Sequence, residues 1–251
     1  MTTILVTGGT GTLGRLVTER LNTDGHEVRV LSRHSPPYAV DLREGGPVLD
    51  AALDGTEVVV HCATTPRGGD ERAAAHLIAA ARRARVRHLV HVSIVGVDRV
   101  PFGYYRSKLA VERLVAESGT DWTLLRATQF HELLVALFGA LARPPVMLLP
   151  AGVPDQPVAA SEVARRLARL AAAPPAGRVE DLGGPEVRSL SSLARAYLAA
   201  TGRRRPVLGV PLPGRAYRAF RAGGHLARGR ALGTPTFEDH LAARFGDPGR
   251  R

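Results

Sequence analysis

The stretch Ile4-Leu5-Val6-Thr7-Gly8-Gly9-Thr10-Gly11-Thr12-Leu13-Gly14 lies near the start of the chain and decides its fold. Its apolar residues predict a buried strand, and its glycines match G-x-x-G-x-x-G at positions 8, 11 and 14. Leucine and valine then recur at helical spacing, at positions 13, 16, 17 and 21. Such a turn lets a pyrophosphate approach the backbone and the unpaired N–H groups that begin the helix. This context predicts a dinucleotide site.

The rest of the first half alternates apolar strands with helical patterns. We predict strands over residues 28–31, 58–60, 88–93 and 123–126, and helices over residues 70–85 and 104–117. This alternation predicts an α/β fold: a Rossmann-like, doubly wound parallel sheet with its ligands at the carboxyl ends of the strands.

The second half is less regular. We predict helices over residues 129–142, 161–172, 189–198 and 236–245, and strands over residues 147–149 and 179–182. Ser161 is the expected cap of the second of these helices, and Ser189 or Ser191 begins the third. We therefore expect a dinucleotide-binding Rossmann core over residues 1–150. A smaller C-terminal region over 151–251 would cover the substrate and return a strand to the sheet near 178–182.

Composition excludes several classes of protein. The 251 residues are 45% hydrophobic and carry a net charge of +11, from 34 basic and 23 acidic residues. The arginine clusters at 82–85 and 203–205 have no interleaved aromatic residues to stack on bases, so the charge does not favour a nucleic-acid partner. No apolar run approaches the roughly 20 residues of a membrane span. We expect a monomer or homodimer that binds a small-molecule substrate.

The N-terminus and the cysteine count set the expected compartment. Met1-Thr2-Thr3 has no positive region before the first strand, which argues against a signal peptide. Cys62 is the only cysteine, so an internal disulfide and a cysteine-based zinc site are excluded, and we expect it to be a small buried residue of the third strand. The sequence shows no histidine or carboxylate cluster with metal-ligand spacing, so we expect no metal. The cysteine count leads us to expect a protein of the reducing cytoplasm.

The end of the second strand bears on the choice of dinucleotide. An NAD site usually places Asp or Glu there to hold the ribose 2′-hydroxyl. Here the strand ends Leu31-Ser32-Arg33-His34, with no carboxylate. The guanidinium of Arg33 suits a 2′-phosphate, which favours NADP(H) over NAD(H). The alternative is that Arg33 is one of many surface arginines.

A tyrosine–lysine pair is the candidate catalytic element. Tyr104 and Lys108 are four residues apart at the start of a predicted helix and share a face. A nearby ammonium favours a phenolate, which makes a phenol a better proton donor. Lys108 is the only lysine among the 34 basic residues, and Ser93, at the end of the fourth strand, would hold a substrate oxygen against the phenol. The alternative is a surface helix pair.

These motifs carry a resemblance to a known family. The glycine turn, His61-Cys62-Ala63-Thr64, Ser93 and the Tyr104–Lys108 pair resemble the short-chain dehydrogenase/reductase superfamily. The segment up to Leu125-Arg126-Ala127-Thr128-Gln129-Phe130 resembles its atypical, NmrA-like NAD(P)H-binding branch.

The resemblance implies contacts for each part of the cofactor. The implied pyrophosphate contacts are Gly8, Thr10, Gly11, Thr12, Leu13 and Gly14. At the adenine end, the resemblance implies Ser32 and Arg33 as contacts of the 2′-phosphate, and Asp41 and Leu42 as contacts of the adenine. Ala63 and Thr64 would line the adenosine side, and Lys108 would bind the ribose. At the other end, Ala127, Thr128 and Gln129 would contact the nicotinamide. Phe130 and His131 follow, where a substrate would lie, although a histidine that merely begins a helix fits His131 equally well.

The sequence leaves three functional hypotheses. The first is an NADP(H)-dependent oxidoreductase acting on a small organic carbonyl, alkene or quinone, with Tyr104, Lys108 and Ser93 as catalytic residues. The second is a non-catalytic NADP(H)-binding redox sensor, since several branches of the resembled family bind the dinucleotide without evident turnover. The third is an epimerase or dehydratase with no net cofactor consumption.

The sequence departs from classical members of the resembled family at two places. Cys62-Ala63-Thr64 replaces their asparagine motif. Ser93 lies somewhat close to Tyr104 in sequence, so a role for Ser93 in cofactor contact alone stays open.

Overall fold

A computed structural model describes residues 1–65, 68–229 and 233–246. The strands are β1 (Thr3–Thr7), β2 (Glu27–Ser32), β3 (Tyr38–Ala39), β4 (Val58–His61), β5 (His88–Ile94), β6 (Trp122–Ala127), β7 (Met147–Pro150), β8 (Pro154–Asp155), β9 (Gly177–Arg178), β10 (Arg188–Ser189) and β11 (Val207–Val210). The helices are α1 (Thr12–Thr23), α2 (Pro47–Leu53), α3 (Asp70–Arg83), α4 (Gly103–Ala116), α5 (His131–Leu141), α6 (Ala160–Ala172), α7 (Leu190–Ala200), α8 (Arg215–Arg221) and α9 (Phe237–Phe245).

Seven strands form the central parallel sheet, in the order β3-β2-β1-β4-β5-β6-β9. The chain starts at β1 in the middle, moves outward through β2 and β3, and crosses back to β4 on the other side. This reversal beside β1 is the topological switch point at which doubly wound folds bind ligands. The predicted α/β, Rossmann-like fold is confirmed.

The residues that the structure describes fall into two compact units. The first contains residues 1–93, 103–126 and 161–180, and the second contains residues 94–102, 127–160 and those from Asp181 onward. Each unit is assembled from separate segments, and residues 161–180 belong with the first. The predicted division of the sequence into 1–150 and 151–251 stays a prediction.

Apolar packing holds each unit together. In the first unit, β1, β4 and β5 meet α2, α3 and α4 through Leu5, Val59, Leu89, Leu53, Leu77 and Val111. The middle residues of β1 and β4 are wholly apolar and buried, because helices cover both faces of a parallel sheet. In the second unit, α5, β7, α7 and α9 meet through Phe138, Met147, Leu193, Tyr197 and Phe237.

Three predicted boundaries in the second half are wrong. The helix predicted from Gln129 begins at His131, and α6 begins at Ala160, so Ser161 lies inside that helix and does not cap it. The strand predicted over residues 179–182 lies instead at β9, where Gly177 and Arg178 pair with β6. In the second unit, Leu182 makes only an isolated bridge to Ala127.

Other features of the second half agree with the sequence. Ser189 caps α7, because its hydroxyl accepts the Ser192 N–H at 3.1 Å. Thr236 caps α9 in a capping box with Asp239. The sequence patterns missed the short elements α2, α8 and β11, which contain too few residues to show a periodicity. None of the helices in the described ranges is long and apolar enough to cross a membrane.

Two buried histidines lie side by side in the sheet of the first unit. His61 in β4 and His91 in β5 are register partners, and their rings stack with centroids 5.1 Å apart. His61 Nδ1 hydrogen-bonds Thr7 Oγ1 at 2.7 Å. Burial, reinforced by the charge of Lys108, lowers the pKa of His61 to about 4, and burial holds the pKa of His91 well below its ordinary value. Both rings are therefore neutral at physiological pH.

We expect this burial to make the fold sensitive to acid. The unfolded chain protonates His61 near its ordinary pKa of 6.5, whereas the folded protein does not until about 4, so stability is lost as the pH falls through this window. Between pH 7.5 and pH 5 the free energy of unfolding should fall by about 2 kcal/mol through His61 alone. Urea unfolding of His61→Gln should lack this part of the pH dependence, and His34→Gln, an exposed control, should retain it. An unchanged pH dependence in His61→Gln would contradict the assignment.

Candidate active site

The glycine turn between β1 and α1 packs against the segment that follows β4. Gly8 adopts a left-handed conformation with φ +66°, and a Cβ added there would lie 2.8 Å from the Cα of Ala63. A Cβ added at Gly14, in the first turn of α1, would lie 2.2 Å from the Gly8 carbonyl oxygen. Both approaches are shorter than any side chain permits, so these two positions require glycine.

The start of α1 is suited to an anionic group. Gly11 is the N-cap, makes no side-chain capping bond, and is followed by a first turn without an acidic residue. The N–H groups and the positive end of the helix dipole at this position are those that bind phosphate in proteins. The predicted pyrophosphate contacts all lie in the glycine turn that joins β1 to α1 or in the first turn of α1: Gly8, Thr10, Gly11, Thr12, Leu13 and Gly14. The close backbone packing and the uncapped helix start therefore fit a dinucleotide pyrophosphate.

The predicted 2′-phosphate and adenine residues follow β2 and β3. Ser32 is buried at the end of β2, and Arg33 next to it is exposed. Asp41 accepts three hydrogen bonds from the Arg43 side chain, which lower the pKa of its carboxyl to about 2. Its negative charge is therefore matched by an arginine. Leu42 is a buried core residue, so only its backbone is placed to meet an adenine.

Tyr104 and Lys108 share a face at the start of α4, and the structure joins them to the loop after β4. The Tyr104 hydroxyl lies 3.0 Å from Thr64 Oγ1, and the Lys108 Nζ lies 5.7 Å from the centroid of the Tyr104 ring. Thr64 Oγ1 donates to Asp70 Oδ2 at 2.6 Å, and the Lys108 Nζ lies 3.0 Å from the same oxygen. Two side chains, those of Thr64 and Asp70, thus link the phenol to a buried ammonium.

Ser93 has a different environment from the one expected. It is 3% exposed, and its Oγ is a buried polar atom with no hydrogen-bond partner in the described structure, so it does not bond Tyr104. The Nε2 atom of His91, two residues earlier in β5, is likewise buried without a partner. Buried polar atoms are rarely left unsatisfied, so both are candidates to bond a bound molecule.

The remaining predicted residues belong to the second unit. Ala127 and Thr128 are buried, and Gln129 and Phe130 are partly exposed. His131 is fully buried, hydrogen-bonds the Pro157 carbonyl at 3.0 Å through Nε2, and packs edge-on against Phe237. The side chain of His131 is thus engaged inside its own unit. The contacts proposed from the family resemblance for these residues stay predictions.

Asp70 is the site residue that sequence reasoning missed. It is the first residue of α3, where an acid is ordinary, and nothing in its spacing links it to Lys108. The available signal was indirect, because a lone lysine on the buried face of a helix requires a counter-ion.

Two other chemistries find no support in the described ranges. Among these residues, no group of three His, Cys, Asp or Glu side chains could hold a metal ion. Cys62 follows β4 and is only partly buried, so its placement inside the strand is wrong. The thiol itself is buried although the residue as a whole is partly exposed, and this burial raises the pKa of the thiol to about 12, which keeps the sulfur protonated and unreactive.

Comparisons of sequence identify relatives of the chain. A family model described as NAD(P)H-binding matches residues 8–133, half of the chain. The chain is 35% identical over 140 residues to the (4-alkanoyl-5-oxo-2,5-dihydrofuran-3-yl)methyl phosphate reductase of Streptomyces griseus, covering 51% of this chain and 48% of that protein. It is 28% identical over 219 residues to quinone oxidoreductase 2 of Escherichia coli, covering 80% of this chain and 75% of that protein. The chain spans between 14% and 48% of the length of the first curated relatives it matches.

Solved structures share the fold. The Escherichia coli NADPH-dependent quinone oxidoreductase QOR2, crystallised with NADPH, matches with a TM-score of 0.80 at 21% identity, covering 96% of this chain and 99% of that chain. A short-chain dehydrogenase/reductase superfamily protein from Agrobacterium tumefaciens, with bound NAD, matches with a TM-score of 0.72 at 20% identity, covering 99% and 97%. By its sequence match over half of its length, the chain belongs to the NAD(P)H-binding family.

Proposed function

We propose that this protein is an NADPH-dependent oxidoreductase that reduces a small organic carbonyl, alkene or quinone. One observation carries the proposal: the phosphate-binding turn and the phenol are joined by two consecutive residues. Gly8 packs against Ala63, and the next residue, Thr64, hydrogen-bonds Tyr104. A dinucleotide held at the turn would therefore extend along the loop that positions the candidate proton donor.

The names of the relatives support the same class of reaction. One is a reductase of a furanone methyl phosphate, and another is a quinone oxidoreductase. Conjugated carbonyls and quinones both accept a hydride at one atom and a proton at another. The substrate class that we propose is therefore an electron-poor carbonyl or its conjugated alkene.

In this reaction, the bound dinucleotide supplies the hydride. The protein supplies the proton and the geometry: the Tyr104 hydroxyl donates to the substrate oxygen, and the Lys108 ammonium favours the phenolate that this donation leaves. The unpartnered Oγ of Ser93 is a donor for the same oxygen or for the cofactor. The Asp70 carboxylate balances the charge of Lys108, and both side chains are about 5% exposed.

We propose NADPH as the preferred cofactor because of the charges after β2. No carboxylate ends this strand to bind a ribose 2′-hydroxyl, and Arg33 presents an exposed guanidinium at this position. Asp41 is the nearby acid, and its charge is matched by Arg43. A 2′-phosphate would therefore meet net positive charge.

Arg33→Ala should weaken NADPH binding and leave NADH binding nearly unchanged. Loss of a charge-assisted hydrogen bond to phosphate costs about 1.5–3 kcal/mol, or roughly 10- to 100-fold in Kd. Fluorescence titration with both nucleotides measures this difference. Arg83→Ala, an exposed arginine of α3 that pairs with Asp50, is the matched control and should bind both as wild type does. An equal loss of both nucleotides would contradict the role of Arg33 in cofactor choice.

Tyr104→Phe should abolish most turnover and leave NADPH binding intact, because it removes one hydroxyl group. General acid catalysis contributes about 10²- to 10⁴-fold, so kcat for reduction of a quinone or carbonyl panel should fall by at least about 100-fold. Tyr105→Phe, at the neighbouring tyrosine whose i+4 residue is Leu109, is the control and should keep its rate. If wild-type protein binds NADPH but reduces no member of the panel, the oxidoreductase proposal is wrong and a redox-sensing role replaces it.

A further inference from the structure

The two-stranded sheet of the second unit carries leucines on its outer face. β7 and β11 pair in parallel with Leu148 opposite Leu208, and each of these two side chains is more than half exposed. The neighbours of Leu148 in β7 are Met147 and Leu149, and both are buried in the apolar cluster of the unit. Because side chains alternate along a strand, the sheet turns one apolar face inward and leaves a second one at the surface, where an antiparallel or edge strand usually carries polar residues.

The exposed apolar surface continues beyond β11. Val210 and Leu212 are also exposed, and every residue over 208–215 is open to solvent. Single exposed apolar side chains need no explanation, whereas a contiguous group of large ones marks an interaction surface. We call the group formed by Leu148, Leu208, Val210 and Leu212 the apolar ridge.

The positive charge of the chain is concentrated in the sequence around this ridge. Residues 187–237 contain ten arginines and no aspartate or glutamate, whereas the rest of the chain is nearly neutral. Six exposed arginines lie shortly before β11 or in α8, the helix that follows it: Arg203, Arg204, Arg205, Arg215, Arg218 and Arg221. Within the described ranges no carboxylate pairs with any of these six, whereas Arg83 and Arg87 of the first unit pair with acids.

Hydrogen bonds hold both groups of arginines beside the two strands. At the amino end of the strands, Arg205 donates through Nε to the Pro144 carbonyl at 3.1 Å, which joins the segment before β11 to the segment before β7. At the carboxyl end, the Tyr217 hydroxyl of α8 donates to the Ala151 carbonyl at 2.8 Å, directly after β7. Basic side chains therefore border the apolar ridge at both ends.

The chemistry of this face selects among possible partners. Two copies of the chain that met through the ridge would bring arginines of like charge together, which disfavours self-association. A nucleic acid would match the arginines and leave the leucines uncovered. The aromatic side chains of α8, Tyr217 and Phe220, pack against the apolar cluster of the unit and do not stand ready to stack on bases. An anionic lipid surface matches both the apolar side chains and the charge.

We propose that this face of the second unit binds the surface of an anionic lipid bilayer. The apolar ridge enters the boundary between the headgroups and the acyl chains, and the six arginines contact lipid phosphates. Binding of this kind takes place on the membrane surface and needs no spanning helix. It is independent of the proposed reaction, because it uses none of the residues assigned to the cofactor or to proton donation.

Sedimentation of the full chain with lipid vesicles tests the proposal without nucleotide or substrate. We expect the protein to sediment with mixed phosphatidylglycerol–phosphatidylcholine vesicles and to stay in the supernatant with phosphatidylcholine alone. Raising the salt from about 0.1 M to about 0.5 M should release most of the bound protein, because salt screens the exposed arginines. A wild-type protein that does not sediment with the anionic vesicles would overturn the proposal.

A pair of double variants tests whether the charge acts at this face. Arg203→Gln combined with Arg204→Gln should weaken binding to the anionic vesicles by about 25-fold, since each arginine near such a surface contributes roughly fivefold in affinity. Arg82→Gln combined with Arg83→Gln removes the same charge from an exposed pair in α3 and should bind nearly as wild type does. Equal losses in the two double variants would mean that only net charge matters, and the proposed face would be wrong.

Leu208→Ser tests the apolar ridge. Its side chain is exposed, so the variant should fold, which circular dichroism checks, and its affinity for the anionic vesicles should fall by about 5-fold. Val48→Ser, at an exposed apolar residue of α2, is the control and should bind as wild type does. Unchanged binding by Leu208→Ser would mean that the attraction is purely electrostatic, which contradicts insertion of the ridge.

Two further results would assign the face to another partner and refute the membrane proposal. The first is a wild-type dimer in the absence of lipid that Leu208→Ser dissociates, which would make the ridge a self-association surface. The second is tighter binding of a DNA duplex than of the vesicles, unaffected by Leu208→Ser. Neither result bears on the proposed oxidoreductase activity, and loss of turnover in Tyr104→Phe does not bear on vesicle binding, so the two proposals fail separately.

Discussion

At the carboxyl end of β1, three backbone segments approach so closely that no side chain fits between them. The Gly8 carbonyl meets the first turn of α1 at Gly14, and Gly8 itself meets Ala63 beyond β4. This contact sets the entry angle of α1 and brings the loop after β4 against the turn. Gly11, the uncapped start of α1, and Thr64, which hydrogen-bonds Tyr104, each lie within a few residues of this contact.

The chemistry of the site depends on one unusual choice of residue. The chain uses arginine for every basic position except Lys108. An ammonium is a compact donor that can approach one carboxylate oxygen and a ring face together, whereas a planar guanidinium forms a broad fork. The ammonium therefore fits the small space between Asp70 and Tyr104. Burial lowers the pKa of the neighbouring histidines, and the charge of the ammonium adds to this effect.

The sequence predicted features that depend on local patterns. The glycine turn, the central parallel sheet and the shared face of Tyr104 and Lys108 all follow from periodicity and turn chemistry. The role of Asp70 could not be predicted, because its partner is 38 residues away and only the fold brings the two together. The same limit applies to β9, whose residues Gly177 and Arg178 pair with β6 without a strand-like pattern of their own.

The central claim is that one edge of the sheet holds both the dinucleotide and the proton donor. A crystal structure of the protein with NADP⁺ tests this claim most directly. The account predicts the pyrophosphate on the N–H groups of residues 10–13 and the nicotinamide ring in contact with the Tyr104 hydroxyl. A nucleotide bound elsewhere, or one whose nicotinamide ring lies away from Tyr104, would contradict it.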